Sequence, residues 1–268
     1  MPEPVIDLLA TEFAAFEELL ADLDAADWDR PTDLPGWTVR DCVAHVIGTE
    51  RMLAGDTPPE LPPGDYPHAV SPLGEFNEAW VESYRGSSAD EMLAALRDVT
   101  ARRMDALRAM TTEDFDEVGF SPVGDAPYRV FMRIRAFDIW THEQDIRRAV
   151  GRPGNLDSAP AHDALDWLLR SAPMVVGKRA QAPLGSTVVF EITGGAPRTV
   201  AILVAERAGV VDDVPADPTV RLEIDSDDFC RLASGRTDPE SALADGLVGI
   251  DGDGSLGQQI VTSLNVVP

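Results

Sequence analysis

The chain has 268 residues, 44% of them hydrophobic, and 22 Lys and Arg stand against 47 Asp and Glu for a formal charge of −25. That length allows two domains and a large apolar interior that needs no disulfide. An acidic surface of this magnitude repels phosphate backbones and anionic headgroups, and no basic stripe offsets it, so nucleic acid and membrane are excluded and a small molecule is the expected partner.

In chain order, Ile6, Leu9, Phe13, Phe16, Leu19, Leu20 and Leu23 recur at three and four, which predicts an amphipathic helix within residues 4–27. DRPTDLPGW (29–37) reads as a turn, after which Thr38 as N-cap and Asp41 start a second helix over about Val39 to Ala54. The Pro, Gly and Asp content of residues 55–72 predicts a long loop of the kind that borders sites. Helices follow over about 73–84 and 88–110, then a loop at 111–128, then a long helix over 129–150 stopped by Gly151 and Pro153. Long helices with variable connections predict a bundle, in which sites are built from inward side chains of facing helices.

GRPGNLD (151–157) has linker composition and places the division at 1–154 and 155–268. Beyond it a helix at 160–171 precedes strands at 187–192, 199–206 and 219–225, read as hairpin-like pairs. Short helices at 226–235 and 238–246, a strand at 247–251 and a closing helix at 254–264 complete an α+β layer. The two cysteines, Cys42 and Cys230, form no CxxC pattern. MPEPVIDLLATEF lacks a basic n-region and no run of about 18 apolar residues occurs, which predicts a soluble, cytoplasmic protein. Monomer and homodimer both remain open.

Three side chains carry the chemistry. Asp138 and His142 are four apart and leave the same face of the last long helix, and His45 lies on the second helix. Two imidazoles and one carboxylate are the ligand set of catalytic zinc and of non-haem iron, with positions left open for water or a thiolate. The alternative is that each histidine is a surface or core residue satisfied by nearby carboxylates; with four histidines in the chain and two on candidate inward faces, the metal site is the sharper reading. His68, in the acidic loop, and His162, near a helix start, read as solvated. Asp145 is either an acceptor for a ligand imidazole N–H or an ion-pair partner of Arg148. Arg85, Arg133 and Arg135 are candidates to recruit a substrate carboxylate, or are paired on the surface. Trp37, Trp80 and Trp140 read as core anchors, with Trp80 a possible pocket wall.

DLPGWTVRDCVAHVIGTERMLAG (33–55) and RIRAFDIWTHEQDIRRAVGRP (133–153) resemble the two signature regions of the actinobacterial mycothiol-dependent maleylpyruvate isomerase family, within the DinB-like four-helix bundle superfamily. Residues 219–261 resemble that family's C-terminal domain, which is similar to the sterol carrier protein fold. The resemblance implies a DinB-like helical domain, a sterol-carrier-like α+β domain, and a zinc ion held by His45, Asp138 and His142, where the family has a glutamate in place of Asp138. It also implies mycothiol as thiol cofactor, added as thiolate to an activated double bond and then eliminated after rotation, with arginines such as Arg85 holding substrate carboxylates. Superfamily relatives transfer the thiol instead, so isomerase and S-transferase are both implied. A metal-dependent hydrolase and a noncatalytic lipid or small-ligand binder are the rival readings.

Overall fold

A computed structural model of the chain describes residues 3–267 and divides between Gly154 and Asn155 into two compact units. In the first, α1 (Pro4–Ala21) opens on a proline, whose fixed φ and missing N–H suit a first helical position. It stops short of the apolar pattern, because the Asp24 N–H takes the Asp27 carboxylate at 3.2 Å, a local bond that competes with the helix. Thr38 and Asp41 form a reciprocal capping box that starts α2 (Val39–Leu53). Ser71 caps α3 (Pro72–Tyr84), and Ser88 with Glu91 boxes the start of α4 (Ala89–Ala109).

The expected loop at 111–128 is partly ordered. Thr111 and Asp114 form a third capping box over α5 (Thr112–Asp116), and β1 (Val118–Gly119) pairs antiparallel with β2 (Ala126–Pro127). Dense Gly, Pro and Asp hide such short elements, although the Thr-Thr-Glu-Asp cap is visible in the sequence. Then α6 (Tyr128–Val150) runs until Gly151 adopts a left-handed conformation at φ 67°.

The four long helices form the bundle: α1 packs on α4 and α6, α2 packs on the same two, and α3 lies against α2. Leu9, Phe16, Leu20, Ile47, Met92, Leu96, Leu107 and Met132 fill the centre and are almost fully buried. Every residue of α2 from Asp41 to Glu50 is buried. Gly48 lets α3 approach this helix, since a Cβ there would lie 2.4 Å from the Cβ and Cγ of Trp80.

The second unit holds α7 (Ala159–Leu169), then a short helical turn α8 (Ala172–Met174) running into a π turn over Val175–Arg179. Its sheet contains β3 (Thr187–Thr193), β4 (Arg198–Val204), β5 (Ala208–Val211), β6 (Val220–Asp225) and β7 (Val248–Gly252), in the spatial order β5-β4-β3-β6-β7. The expectation of hairpin-like pairs holds for β3 with β4 but fails for β6, which joins β3 in parallel. Val188, Val189 and Phe190 are all fully buried, as a central strand covered on both faces requires. The strand β5 was not legible because its AGVV segment is short and contains glycine. Helices α9 (Ser226–Ala233), α10 (Pro239–Ala244) and α11 (Gly254–Thr262) complete an α+β unit. No helix among the described residues is long and apolar enough to cross a membrane.

Gly48→Ala is expected to destabilise the chain by about 1–3 kcal/mol in urea unfolding, because Trp80 and α3 must move outward. A second expectation concerns Asp56, which begins the 55–71 loop and accepts hydrogen bonds from Arg102 (2.8 Å) and Arg51 (2.7 Å). These bonds hold its carboxyl down to about 2. Its folded value lies below the unfolded one, so its contribution is present above pH 4 and lost as pH falls towards 2. The stability gap between the wild type and Asp56→Asn should therefore shrink over that interval in acid titrations followed by circular dichroism.

Candidate metal centre

Arg135, Asp138, His142 and Asp145 recur at three, four and three along α6, the spacing of one helix face. That face meets His45 of α2. His45 Nε2 lies 3.1 Å from Asp138 Oδ2, and His142 Nε2 lies 3.7 Å from Asp138 Oδ1. The two imidazoles meet edge to face with centroids 4.8 Å apart. Donor atoms from the three side chains all fall within 4.8 Å of one another.

Both histidines are buried, whereas the Asp138 side chain keeps 31% of its surface exposed. Burial lowers the His45 pKa against the pull of Asp138, which favours the neutral ring, the form that can ligate a cation. Burial would raise the Asp138 carboxyl, but Arg135, His45 and His142 outweigh it and hold that group well below the usual carboxylate range. A neutral His45 and an ionised Asp138 are protonation states that suit a divalent cation. The three side chains thus bring two ring nitrogens and a carboxylate close enough to share one ion after small side-chain adjustments.

The surroundings sort the other expected residues. Asp145 takes the ion-pair role, its Oδ1 accepting from Arg148 at 2.6 Å, while its Oδ2 lies 3.3 Å from His142 Nδ1 off the hydrogen-bond direction. Trp37 lies over both rings, with centroids 5.3 Å from His45 and 5.8 Å from His142. Its indole N–H donates to Glu78 Oε2 at 3.0 Å. Trp80 and Trp140 are buried as expected of core anchors.

His68 is not solvated. Its Nε2 lies 2.9 Å from Glu78 Oε2, so the 55–71 loop is tied to a buried carboxylate. His162 is half-buried, with its Nδ1 fully enclosed. Arg85 is placed among three carboxylates, Glu78 at 2.7 Å, Glu82 at 2.9 Å and Asp41 at 3.6 Å, none of which belongs to the His45 cluster. Arg135, a candidate either to recruit substrate or to be paired on the surface, is 4% exposed and paired with Asp138 and Glu50 in the interior. Arg133 is half-buried.

Glu50 and Arg103 escaped the sequence reading. Glu50 accepts from Arg135 Nε and Arg103 Nε, each at 3.0 Å, and Arg103 Nη2 reaches Tyr128 Oη at 3.0 Å. A signal existed: Leu96, Val99, Arg103 and Leu107 share one apolar stripe, as do Val43, Val46 and Glu50, so opposite charges stand on two core faces.

Residues 9–147 match the mycothiol maleylpyruvate isomerase N-terminal domain, and residues 168–265 match the SCP-2 sterol transfer family. A solved structure of a mycothiol-dependent maleylpyruvate isomerase shares the fold, with TM-score 0.60 and 17% identity, covering 94% of this chain and 93% of that one. An uncharacterized protein of Mycobacterium tuberculosis is 25% identical over 171 residues, 63% of this chain and 78% of its own length. A second from that organism is 27% identical over 152 residues, 56% and 58% of the two chains.

Glu78 joins the loop histidine, the indole over the imidazoles and Arg85. Glu78→Ala is expected to cost about 1–3 kcal/mol in chemical denaturation, less than a fully enclosed pair would, because Arg85 turns to water while the Trp37 N–H loses its acceptor.

Proposed function

The chain belongs to the mycothiol maleylpyruvate isomerase N-terminal domain family, and from that premise we propose that it is a metal-dependent enzyme using a low-molecular-weight thiol of the mycothiol type on a small electrophile. The observation that carries this reading is the convergence of His45 Nε2 and His142 Nε2 on the two oxygens of Asp138. Nitrogen and carboxylate donors in this number suit zinc, and they leave a coordination position for a thiol sulfur.

A divalent ion here supplies a lowered pKa to the coordinated thiol, giving a thiolate near neutral pH. The remaining work falls to the protein. Burial favours the neutral form of His45, His142 is buried beside it, and Asp138 stays ionised beside Arg135. Asp145 stands 3.3 Å from His142 Nδ1, a negative charge beside the ring nitrogen that faces away from Asp138. Trp37 covers the rings on one side and limits water there. The substrate class is an electrophile with an activated double bond, often carboxylated, and the outcome is cis-trans isomerisation or retention of the thiol as an S-transferase product. Asp138, one methylene shorter than the glutamate of the resemblance, would hold an ion nearer to α6 than a glutamate would.

A second reading rests on the match of residues 168–265 to the SCP-2 sterol transfer family, which supports carriage of an apolar ligand by the second unit. Native mass spectrometry decides between them: copurified lipid without metal favours carriage, and retained metal favours catalysis.

His45→Ala should lose the roughly stoichiometric zinc of the wild type in elemental analysis, an affinity loss beyond about 100-fold, together with thiol-dependent turnover. Stoichiometric zinc in that variant defeats the assignment, and wild-type turnover that ignores added thiol makes the chain a hydrolase.

A further inference from the structure

We infer that Arg135 is a positioning residue for the metal centre, its guanidinium fork clamped by Glu50 and holding Asp138 in the orientation that faces both imidazoles. This rests on the metal reading of His45, Asp138 and His142.

Asp138 is the weak point of that centre. Its side chain is short and 31% exposed, while its two partners are buried rings. Left alone, a half-solvated carboxylate turns to water. One turn earlier on the same face, Arg135 Nη1 donates to Asp138 Oδ2, the oxygen that also faces His45 Nε2. With Oδ2 held, the carboxylate plane is fixed and Oδ1 is directed to His142.

Arg135 is itself immobile. Its Nε donates to Glu50 Oε1 at 3.0 Å, and both side chains are almost fully buried, at 4% and 2% exposure. Glu50 Oε2 takes Arg103 Nε from α4, and Arg103 closes the circuit on Tyr128 at the start of α6. The orientation of one metal-facing carboxylate is thus referred to three helices. Charge signs alternate along Asp138, Arg135, Glu50 and Arg103, so each buried ion has an opposite neighbour and the row sums to zero.

Two separate edges of one rigid plane are needed, the Nε edge for Glu50 and an Nη for Asp138. Arginine provides them and lysine, a single point charge, does not. The lysine variant therefore separates geometry from charge. Loss of an outer partner of this kind typically weakens metal binding by 10–100-fold.

The test is cobalt(II) binding to the full chain, read as affinity and as the visible d–d spectrum, for wild type, Arg135→Lys, Asp138→Ala and the double variant. Arg135→Lys should bind cobalt ~10–100-fold more weakly with an altered spectrum, and in the Asp138→Ala background it should add less than about 2-fold. Glu50→Gln, which loosens the clamp and leaves Arg135 in place, should weaken binding several-fold and serves if the lysine variant fails to reach the wild-type far-UV spectrum. Wild-type affinity and spectrum in Arg135→Lys would overturn the positioning role, as would an equal loss in both backgrounds, which marks an effect through the fold. A wild-type chain that takes up no cobalt overturns the metal reading and this role with it, a result distinct from the other two because it appears before any substitution.

Discussion

The helical unit depends on a carboxylate buried between two guanidinium groups. Glu50 receives Arg103 from one side and Arg135 from the other, which joins α2, α4 and α6 at the level of the candidate centre. Taking these charges out of water is expensive, and only their mutual pairing offsets the cost; an apolar set of equal volume would hold the helices as well or better. Removing one member of such a row leaves a buried charge uncompensated, at about 3–5 kcal/mol. Its retention in the core is explained by geometry, because the row ends on Asp138 and sets the direction of an oxygen that the imidazoles face.

A second buried carboxylate works on the other side of the imidazoles. Glu78 of α3 accepts from Trp37, His68 and Arg85. It ties the indole that covers His45 and His142 to the 55–71 loop, so loop and rings share one anchor. The candidate centre is thus bounded by two polar hubs, Glu50 and Glu78, each on a helix packed against α2 or on α2 itself. Of the three candidate donors Asp138 keeps the most contact with solvent, at 31% of its side chain.

Much of the architecture was legible in the sequence. Apolar spacing and the Thr38/Asp41 cap set α2, α3, α4 and α6 within a residue or two, while α1 ended short of its apolar pattern, because capping and burial are local and a turn bond at Asp24 intervened. The 135–138–142–145 stripe on α6 was partly visible, since residues three and four apart share a face whatever surrounds them. The roles of His68 and Arg135 were misread for a common reason. Whether a charged side chain turns to water or to a buried partner depends on what another element brings to it, and Glu78 and Glu50 stand 10 and 85 residues away in the chain. The parallel pairing of β6 with β3 was hidden likewise, because strand pattern reports which face is apolar and not which neighbour is chosen.

By itself the sequence determined the α+β class, the extents of the long helices and the pairing of Asp138 with His142 on one face, all consequences of backbone periodicity and local hydrogen bonding. Only the tertiary structure decided that His45 meets them, that Arg135 faces Glu50 and not a ligand, and that Trp37 lies over the rings. Those facts depend on the phase and approach of helices far apart in the chain, and packing of large side chains at contacts such as Gly48 against Trp80 sets both.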